Sequence, residues 1–373
     1  MRVLLAPFAL PGHLSPFLTL GEALRRRKHD VWLYTDVSSA AAVEAAGCSI
    51  LASPTEGSAR VGQDQVTLAA MVTWAEAVAT KTLGHLAATL AAHPVDVLVI
   101  DEMNLGAALV AQASGTPWVS VPTSPVLRAP RFHDWPSMVP TAELRAAVGL
   151  SADARSSLHQ GQSPRGALLP WTPEFDIAAP GAGDVHVGPL LWDAPSSDGV
   201  ACEILVSIST SPHAHLRKLL RTFLEHALAA LAELPHRALL TVGDTVLAPR
   251  TVPSHVEVRG HVEHGPLMKG LKLFVHHGGW GSIGRCLRAG VPMLVVPFER
   301  DQPVNAFHCE RLGLASVLSH QSASDTLRHQ MRALLDPASP QRRAIQAYAE
   351  RYAAVSPADT AAAHLERLMA AAV

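Results

Sequence analysis

Two series of short apolar runs, each alternating with longer stretches of helical periodicity, constrain the fold of this chain more than any other feature. Each run has the length of a buried strand, and the stretches between the runs are long enough to be crossover helices. Such alternation is the pattern of parallel, doubly wound α/β sheets. The first series of predicted strands covers residues 3–6, 31–35, 49–52, 95–100 and 118–121, and the second covers 204–208, 238–242, 256–259, 273–276, 293–297 and 315–318.

A stretch rich in Pro, Gly, Ser and Ala, residues 178–201, separates the two series in this chain of 373 residues and indicates two domains. We predict an N-terminal domain over 1–190, a linker over 191–203, a second domain over 204–357 and a C-terminal helix over 358–373. That helix can pack on either domain, including a return to the first. Residues 54–93 and 124–175 are expected to be helices and loops inserted in the first domain. Two such domains would face each other across a cleft, where the carboxyl ends of the strands bind ligands.

Charge and composition exclude several classes of function. Thirty basic against 32 acidic side chains give a net charge of −2, which argues against a nucleic-acid or membrane surface, and an aromatic content of 5% gives no base-stacking platform. No apolar run is long enough to span a membrane, and the N-terminal run breaks at Pro7 and Pro11, too early for a signal peptide. We therefore expect a cytoplasmic protein.

The cysteine and histidine patterns predict no metal site. The four cysteines form no CxxC pair, and the 20 histidines include no HExxH motif. The adjacent pair His276 and His277 lacks a carboxylate or thiolate partner at ligand spacing. The cysteines are expected to be reduced packing residues.

A glycine-rich turn follows the predicted strand 273–276 directly. It reads His277, Gly278, Gly279, Trp280, Gly281, Ser282, and a helix is expected to start near Ser282. Glycines let the backbone approach a ligand closely, and the amides of a helix N-terminus favour an anion such as a diphosphate. These residues alone fit equally well a plain strand-to-helix turn with Ser282 as the cap.

The continuation of this motif is more specific. Residues 276–313 read HHGGWGS, then AGVPMLVVPFERDQPVNAFHCERLG, and this pattern resembles the nucleotide-sugar signature of family 1 glycosyltransferases with the GT-B fold, in particular those of bacterial natural-product and antibiotic biosynthesis. PGHLSPFLTLGEAL at 11–24 and VGPL at 187–190 are similar to the family's opening and linker entry. Residues 204–210 resemble its phosphate-turn strand, although Ser209 stands where Gly is usual. Residues 54–93 and 124–175 show no resemblance to the motifs of this family.

The resemblance implies a catalytic pair. His13 is expected in the loop after the first strand, because Ser15 and Pro16 look like the start of the following helix, and Asp101 ends the fourth strand. Both would project from strand ends into the cleft. In the family such a histidine deprotonates the acceptor hydroxyl while the aspartate stabilises the imidazolium.

Donor residues follow from the same resemblance. Those expected to bind the nucleotide and its diphosphate are Ser209, Thr210, His264, His277, Gly278, Gly279, Gly281 and Ser282, and those expected to bind the sugar are Asp301 and Gln302. Backbone groups at His264 would contact the base. Arg285 stands where many UDP-sugar members place a Glu that holds the ribose hydroxyls, which favours a dTDP-deoxysugar. The absence of a DxD triplet predicts transfer without a metal or other cofactor, with inversion.

The acceptor is the least constrained partner. An apolar pocket for a hydrophobic aglycone is expected from Met71, Trp74, Met103, Phe132, Trp135 and Met138. The predicted partners are therefore a small-molecule aglycone and a nucleotide sugar, with a homodimer left open. A UDP-hexose-dependent transferase and a non-catalytic or auxiliary GT-B homologue stay open as alternatives. An NDP-sugar 2-epimerase fits less well because it would not need both the His13 opening and the DQ pair.

Overall fold

The computed structural model describes residues 1–8, 10–54, 68–129, 141–153, 155, 157–194, 201–208, 214–243 and 252–371. Two compact units divide these residues. The first contains the described chain up to Trp192 together with the segment that begins at Val355, and the second extends from Asp193 to Ala354.

The first unit is built around a parallel five-stranded sheet with the order β3-β2-β1-β4-β5. Its strands are β1 (Arg2–Ala6), β2 (Asp30–Thr35), β3 (Ser49–Ala52), β4 (Val97–Asp101) and β5 (Trp118–Val121). Its longer helices before β5 are α1 (Pro11–Arg26), α2 (Ala40–Ala45), α3 (Leu68–Ala92) and α4 (Leu105–Ser114). Alternate residues of β1 enter two separate cores, with Val3 and Leu5 on one face and Leu4 and Ala6 on the other. Burial on both faces explains why these strands are continuous apolar runs.

Smaller elements complete the first unit beyond β5. They are α5 (Thr141–Ala147), α6 (Ser157–Gln160), β6 (Leu168–Leu169) and β7 (Val185–His186). The strands β6 and β7 pair in parallel, and Ala167 bridges to Ser120 of β5. The sequence did not predict this small sheet because two-residue strands have no periodicity to detect.

The second unit repeats the architecture with a parallel six-stranded sheet in the order β10-β9-β8-β11-β12-β13. Its strands are β8 (Ile204–Ser207), β9 (Ala238–Thr241), β10 (Val256–Arg259), β11 (Leu273–His276), β12 (Met293–Val295) and β13 (Ala315–Val317). Its helices are α7 (Ala214–Ala232), α8 (His264–Leu267), α9 (Trp280–Ala289), α10 (Gln302–Arg311), α11 (Ser324–Leu335) and α12 (Pro340–Arg351).

The predicted fold class is confirmed, and every predicted strand is present. β3, β5, β10 and β11 have the predicted bounds, and the other strands differ by one or two residues at one end or, for β4, at both ends. Within the described part of the predicted linker, Asp193 contacts Arg285 and the amide of Gly265 in the second unit.

The start of the first helix was predicted wrongly. α1 begins at Pro11, four residues before the expected cap at Ser15, and Pro16 lies inside the helix. Proline suits the first helical position because its missing N–H would be unsatisfied there anyway. The Ser15 hydroxyl instead accepts a hydrogen bond from the Trp192 amide at 2.8 Å. His13 therefore lies in the first turn of α1 and not in a loop.

The C-terminal helix α13 (Pro357–Ala370) packs against α1 in the first unit. Ala361, Ala362 and Leu365 are fully buried in that unit's core. On the outside, Glu366 accepts hydrogen bonds from Arg27 at 3.0 Å and from His29 at 2.8 Å. None of the helices in the described ranges is long and apolar enough to cross a membrane.

Candidate active site

His13 contacts Asp101 at the carboxyl ends of two neighbouring strands. β1 and β4 pair in parallel with Ala6 opposite Ile100, so the residues that follow them reach one edge of the sheet. His13 Nδ1 lies 2.7 Å from Asp101 Oδ2; the aspartate is fully buried, while the histidine side chain keeps 15% of its exposure. Because an ionised carboxylate only accepts hydrogen bonds, Nδ1 donates and the lone pair stays on Nε2.

Three neighbours hold this pair in its orientation. The Met103 amide donates to Asp101 Oδ1 at 2.9 Å, and Thr123 Oγ1 lies 3.2 Å from His13 Nδ1. The ring of Phe8 meets the imidazole edge to face, with 5.6 Å between centroids. The tautomer and the plane of the imidazole are therefore both fixed. Sequence reasoning missed Thr123 and Phe8 because neither belongs to a motif.

The loops after β1 and β4 are tied together by Asn104. Its side-chain oxygen caps α4 by accepting from the Ala107 amide at 3.2 Å, and its amide group donates to the Pro7 carbonyl at 3.0 Å. One side chain thus satisfies groups in both loops that carry the His13–Asp101 pair. This residue was also missed from the sequence.

A buried ionic network lies beside Asp101. Glu102 is 2% exposed and accepts hydrogen bonds from Arg128 and, at 3.1 Å, from the Ser120 hydroxyl. Arg128 also pairs with Asp184 at 3.2 Å. Burial raises the pKa of Glu102 to about 7 despite the guanidinium. Sequence reasoning missed this network, because none of its members belongs to a motif.

The acceptor pocket predicted from scattered apolar residues is largely outside what the structure describes. Phe132, Trp135 and Met138 lie outside the described residues, as do the side chains of Met71 and Trp74, whose backbone is in α3. Met103 is half-buried and follows Asp101 by two residues. A cavity of about 380 Å³ elsewhere in the first unit is lined by Arg128, His159, Gln162, Leu169, Trp171, Asp176, Ile177, Ala178, Ala179, Pro180, Gly181 and Asp184.

In the second unit, the glycine-rich turn leads from β11 into α9. Gly279 is the N-cap in an extended conformation, and no side chain caps the helix. Ser282 was predicted as a possible cap but lies within the first turn, where its amide bonds to the Gly279 carbonyl at 3.1 Å. Gly278 has φ +90°, and a Cβ there would lie 2.9 Å from Val295 Cγ1. The uncapped start of this ten-residue helix is suited to an anion.

His277 stands at the entrance to this helix. Its Nδ1 is buried and has no hydrogen-bond partner among the described residues. Burial lowers the pKa of His277 to about 4, although the nearby Asp301 carboxylate acts in the opposite direction. The imidazole is therefore neutral at pH 7 and carries one N–H, for which the backbone of Ser207 is an acceptor.

His264 begins the short helix α8. Its Nε2 lies 3.0 Å from the hydroxyl of Ser207, and its ring packs edge to face on Phe274 with 5.1 Å between centroids. Burial, with a smaller effect from the Arg285 guanidinium, lowers the pKa of His264 to about 3. The side chain, and not only the backbone expected from the sequence, is thus placed near charged groups of this unit.

Arg285 forms an ion pair with Asp193. Its Nη2 lies 2.6 Å and its Nε 3.1 Å from Asp193 Oδ1, and the same carboxylate oxygen accepts from the Gly265 amide at 3.0 Å. Arg285 Nη1 donates to the Gly281 carbonyl in the first turn of α9 at 3.1 Å. The α8 segment and the start of α9 are therefore connected through one ion pair, whose partner Asp193 the sequence analysis missed.

The Asp301–Gln302 pair lies where α10 begins. Gln302 is 4% exposed, and its Oε1 accepts from the amides of Phe298 and Glu299 at 2.9 and 3.1 Å. Asp301 Oδ2 accepts from Asn305 at 2.8 Å, and Asn305 also donates to the Gly278 carbonyl at 3.1 Å. Asn305 thus links the start of α10 to the glycine-rich turn. Gln302 closes the turn that carries Asp301.

Two predicted donor residues, Ser209 and Thr210, lie outside the described residues. Within the described part of the chain, no group of three or more His, Cys, Asp or Glu side chains is arranged to hold a metal ion.

Comparison with known proteins finds glycosyltransferases among the similar sequences and structures. The C-terminal domain of the erythromycin biosynthesis protein CIII-like family matches residues 225–368. The O-mycaminosyltylonolide 6-deoxyallosyltransferase of Streptomyces fradiae is 27% identical over 375 residues, covering 85% of each chain. The glycotransferase of kitacinnamycin superposes with a TM-score of 0.77 at 25% identity, covering 98% of both chains. Glycosyltransferase VinC in complex with dTDP gives a TM-score of 0.76 at 18% identity, covering 99% of both.

The two Rossmann-like units and the similarity to solved GT-B glycosyltransferases identify a glycosyltransferase of the GT-B fold. Among such enzymes, the chain is similar along most of its length to antibiotic glycosyltransferases. These similarities support a family 1 natural-product glycosyltransferase.

Proposed function

We propose that this enzyme transfers a deoxysugar from a dTDP-sugar to a hydroxyl of a hydrophobic natural-product aglycone, with inversion and without a metal ion. The observation that carries the proposal is the 2.7 Å contact between His13 Nδ1 and the fully buried carboxylate of Asp101. It leaves Nε2 of His13 as a base on a partly exposed side chain.

The chemistry follows from these two side chains. Nε2 of His13 takes the proton of the acceptor hydroxyl while the oxygen attacks the anomeric carbon, and the bond from that carbon to the diphosphate oxygen breaks. One displacement inverts the anomeric centre. The Asp101 carboxylate, held by the Met103 amide, stabilises the imidazolium that forms. A positioned base of this kind contributes about 10²- to 10⁴-fold in rate.

The leaving diphosphate needs stabilisation as its charge develops. The backbone amides at the start of α9 are the donors that we assign to it, with the neutral ring of His277 beside them. The proposal that no metal takes part rests on the absence of a DxD triplet from the sequence. We assign Asp301 to the hydroxyls of the donor sugar. Gln302 holds the turn through its side-chain oxygen, which leaves its side-chain N–H groups for the sugar.

The preference for dTDP and for a deoxysugar has separate support. VinC binds dTDP, and the relative from Streptomyces fradiae transfers a 6-deoxyallosyl group, as their names state. At the position where UDP-sugar members of the resembled family carry Glu, this chain has Arg285, which cannot accept hydrogen bonds from ribose hydroxyls. A donor without the 2′-hydroxyl has one ribose hydroxyl fewer to bind, so its affinity is reduced less by Arg in place of Glu.

A thermal-shift comparison of dTDP, UDP and GDP tests the donor site, because a ligand that binds only the native state raises Tm. We expect the largest shift with dTDP, unchanged by EDTA. A larger Tm shift with UDP would indicate that the donor is a UDP-hexose. No shift with any nucleotide would favour an auxiliary, non-catalytic homologue. Turnover lost in EDTA and restored by Mg²⁺ would contradict metal independence.

His13→Ala tests the base. Transfer should fall by at least about 10²-fold while dTDP binding is unchanged. The matched control is His29→Ala, because His29 is also mostly buried, at 14% exposure, and also contacts a carboxylate, that of Glu366, at 2.8 Å. Unchanged turnover in His13→Ala would remove this residue from the mechanism. An NDP-sugar rearranged without acceptor, detected by NMR, would instead indicate an epimerase.

A further inference from the structure

Two hydroxyl side chains form a hydrogen-bonded chain with His264. Ser207 and Thr241 are the last residues of β8 and β9 and lie directly opposite each other in the parallel register. Thr241 Oγ1 donates to Ser207 Oγ at 2.7 Å, and Ser207 Oγ lies 3.0 Å from His264 Nε2. Both hydroxyl residues are buried, at 7% and 5% exposure. Neither was singled out as a site residue by the sequence, although Ser207 lies within the 204–210 segment.

The direction of these bonds fixes where the proton of His264 lies. Ser207 Oγ accepts from Thr241, so its own single proton is available for His264 Nε2. Nε2 is then the acceptor, and the one proton of the neutral imidazole is on Nδ1. Burial keeps the ring neutral, since it lowers the pKa of His264 to about 3. The contact with Phe274 holds the plane of the ring.

Nδ1 of His264 makes no hydrogen bond to any residue in the described ranges, and the side chain is only half-buried. We infer that Thr241 and Ser207 are positioning residues that set the tautomer of His264, so that Nδ1–H donates a hydrogen bond to a diphosphate oxygen of the sugar donor. This inference rests on the donor site proposed for the second unit.

The surroundings favour a diphosphate oxygen over the nucleobase. The guanidinium of Arg285 and the ring of His277 both lie close enough to affect the charge state of His264. Arg285 in turn contacts the Gly281 carbonyl in the first turn of α9, the helix whose uncapped N-terminus suits an anion. Because the Arg285 guanidinium is already paired with Asp193, the groups left for a phosphate are the neutral N–H of His264 and the helix N-terminus.

The first measurement is the tautomer itself, read from ¹⁵N–¹H correlation spectra of the full-length protein with ¹⁵N-labelled histidine and no ligand. We expect His264 to be protonated at Nδ1 in the wild type. Ser207→Ala should move the proton toward Nε2, Thr241→Val should give an intermediate mixture, and Thr241→Ser should retain the wild-type tautomer. A wild-type proton on Nε2 would overturn the inference, whatever the nucleotide affinity.

The second measurement is affinity for dTDP, dTMP and thymidine by calorimetry. Ser207→Ala should raise the Kd for dTDP by about tenfold, the size expected for one hydrogen bond to a charged group, and leave thymidine within about twofold. Ser316→Ala is the matched control, because Ser316 is another buried strand serine of the same sheet, whose hydroxyl accepts from Gln330 at 2.8 Å.

Three outcomes separate the possibilities. An unchanged Kd for dTDP in Ser207→Ala would overturn the inference while leaving the donor site intact. Equal weakening of thymidine and dTDP would assign the contact to the base and so overturn the diphosphate role. Failure of the wild type to bind any of the nucleotides would contradict the proposed function as well.

Discussion

Asp101 holds His13 through one carboxylate oxygen and the Met103 amide through the other, at 2.7 and 2.9 Å. Its side chain is fully buried, so both of its hydrogen-bond partners belong to the protein and not to solvent. The orientation of the imidazole thus depends on a carboxylate that is itself fixed at both oxygens.

Asp101→Asn should therefore reduce kcat more than it changes the acceptor KM. An amide nitrogen in place of Oδ2 would favour the wrong tautomer of His13, with the proton on Nε2, and would no longer stabilise the imidazolium. We expect a loss of about 10²-fold or more in kcat in steady-state assays. Thr123→Val serves as the milder comparison, since Thr123 Oγ1 lies 3.2 Å from the same Nδ1 but carries no charge. Equal losses in both variants would contradict this role for the Asp101 charge.

Donor selectivity should follow the charge at position 285. In Arg285→Glu combined with Asp193→Asn, the new carboxylate can accept from ribose hydroxyls without facing Asp193, with which Arg285 now forms an ion pair at 2.6 Å. The ratio of UDP to dTDP affinity should rise by about tenfold, the value of one charge-assisted hydrogen bond. Asp193→Asn alone is the control. A ratio that is the same in the single and double variants would show that Arg285 does not govern this selectivity.

Gly278→Ala should both destabilise the protein and weaken dTDP binding. Gly278 has φ +90°, and the added methyl would lie 2.9 Å from Val295 Cγ1 and 3.3 Å from the Gln302 carbonyl. We expect a loss of about 2–3 kcal/mol in the free energy of unfolding, measured in urea.

Gly313→Ala separates the backbone effect from the steric one in that experiment. Gly313 has φ +69°, but its added Cβ would meet no atom within 4 Å. Its loss should be about 1 kcal/mol, from the left-handed conformation alone, with dTDP affinity unchanged. Equal losses in the two variants would show that the contact with Val295 is accommodated.

The stability of the first unit should carry a pH dependence from Glu102. Its pKa is about 7 in the folded protein, against 4.5 as the ordinary value. The folded state therefore binds more protons than the unfolded state between these pH values, and stability falls as pH rises through that window. The full difference is of the order of 3 kcal/mol. Glu102→Gln should remove this fall, as measured by urea unfolding at pH 5 and pH 8.

Glu203→Gln is the control with the opposite sign. The ion pair with Lys272 lowers the pKa of Glu203, so its contribution to stability is present at higher pH and is lost as the solution becomes acidic. A pH profile of Glu102→Gln identical to that of the wild type would show that Glu102 does not titrate in this range.

The sheets could be predicted from sequence because strands buried on both faces are short, continuous apolar runs. Runs such as 118–121 and 273–276 end where composition changes, and the structure has the same bounds. The glycine-rich turn was visible because Gly278 adopts a backbone conformation that other residues rarely reach. Local sequence was therefore enough to predict most of the fold and the glycine-rich turn.

The partners of these residues could not be predicted in the same way. Asp193 meets Arg285 across 92 positions of the chain, and Thr123 meets His13 across 110. No periodicity or motif links residues so far apart, because only the packed sheet brings them together. The prediction of where α1 begins failed for a different reason. Ser15 has a side chain that is common at helix caps, but its hydroxyl accepts a hydrogen bond from the Trp192 amide instead.

The return of α13 to α1 affects the order in which the chain can fold during synthesis. Ala361 and Leu365 fill the same core as Phe17 and Leu20, so the first unit lacks part of its interior until residues 361–365 have left the ribosome. The second unit, from Asp193 to Ala354, is translated in full before that moment. The six-stranded sheet of the second unit can therefore form first, and the core of the first unit is completed only when α13 follows.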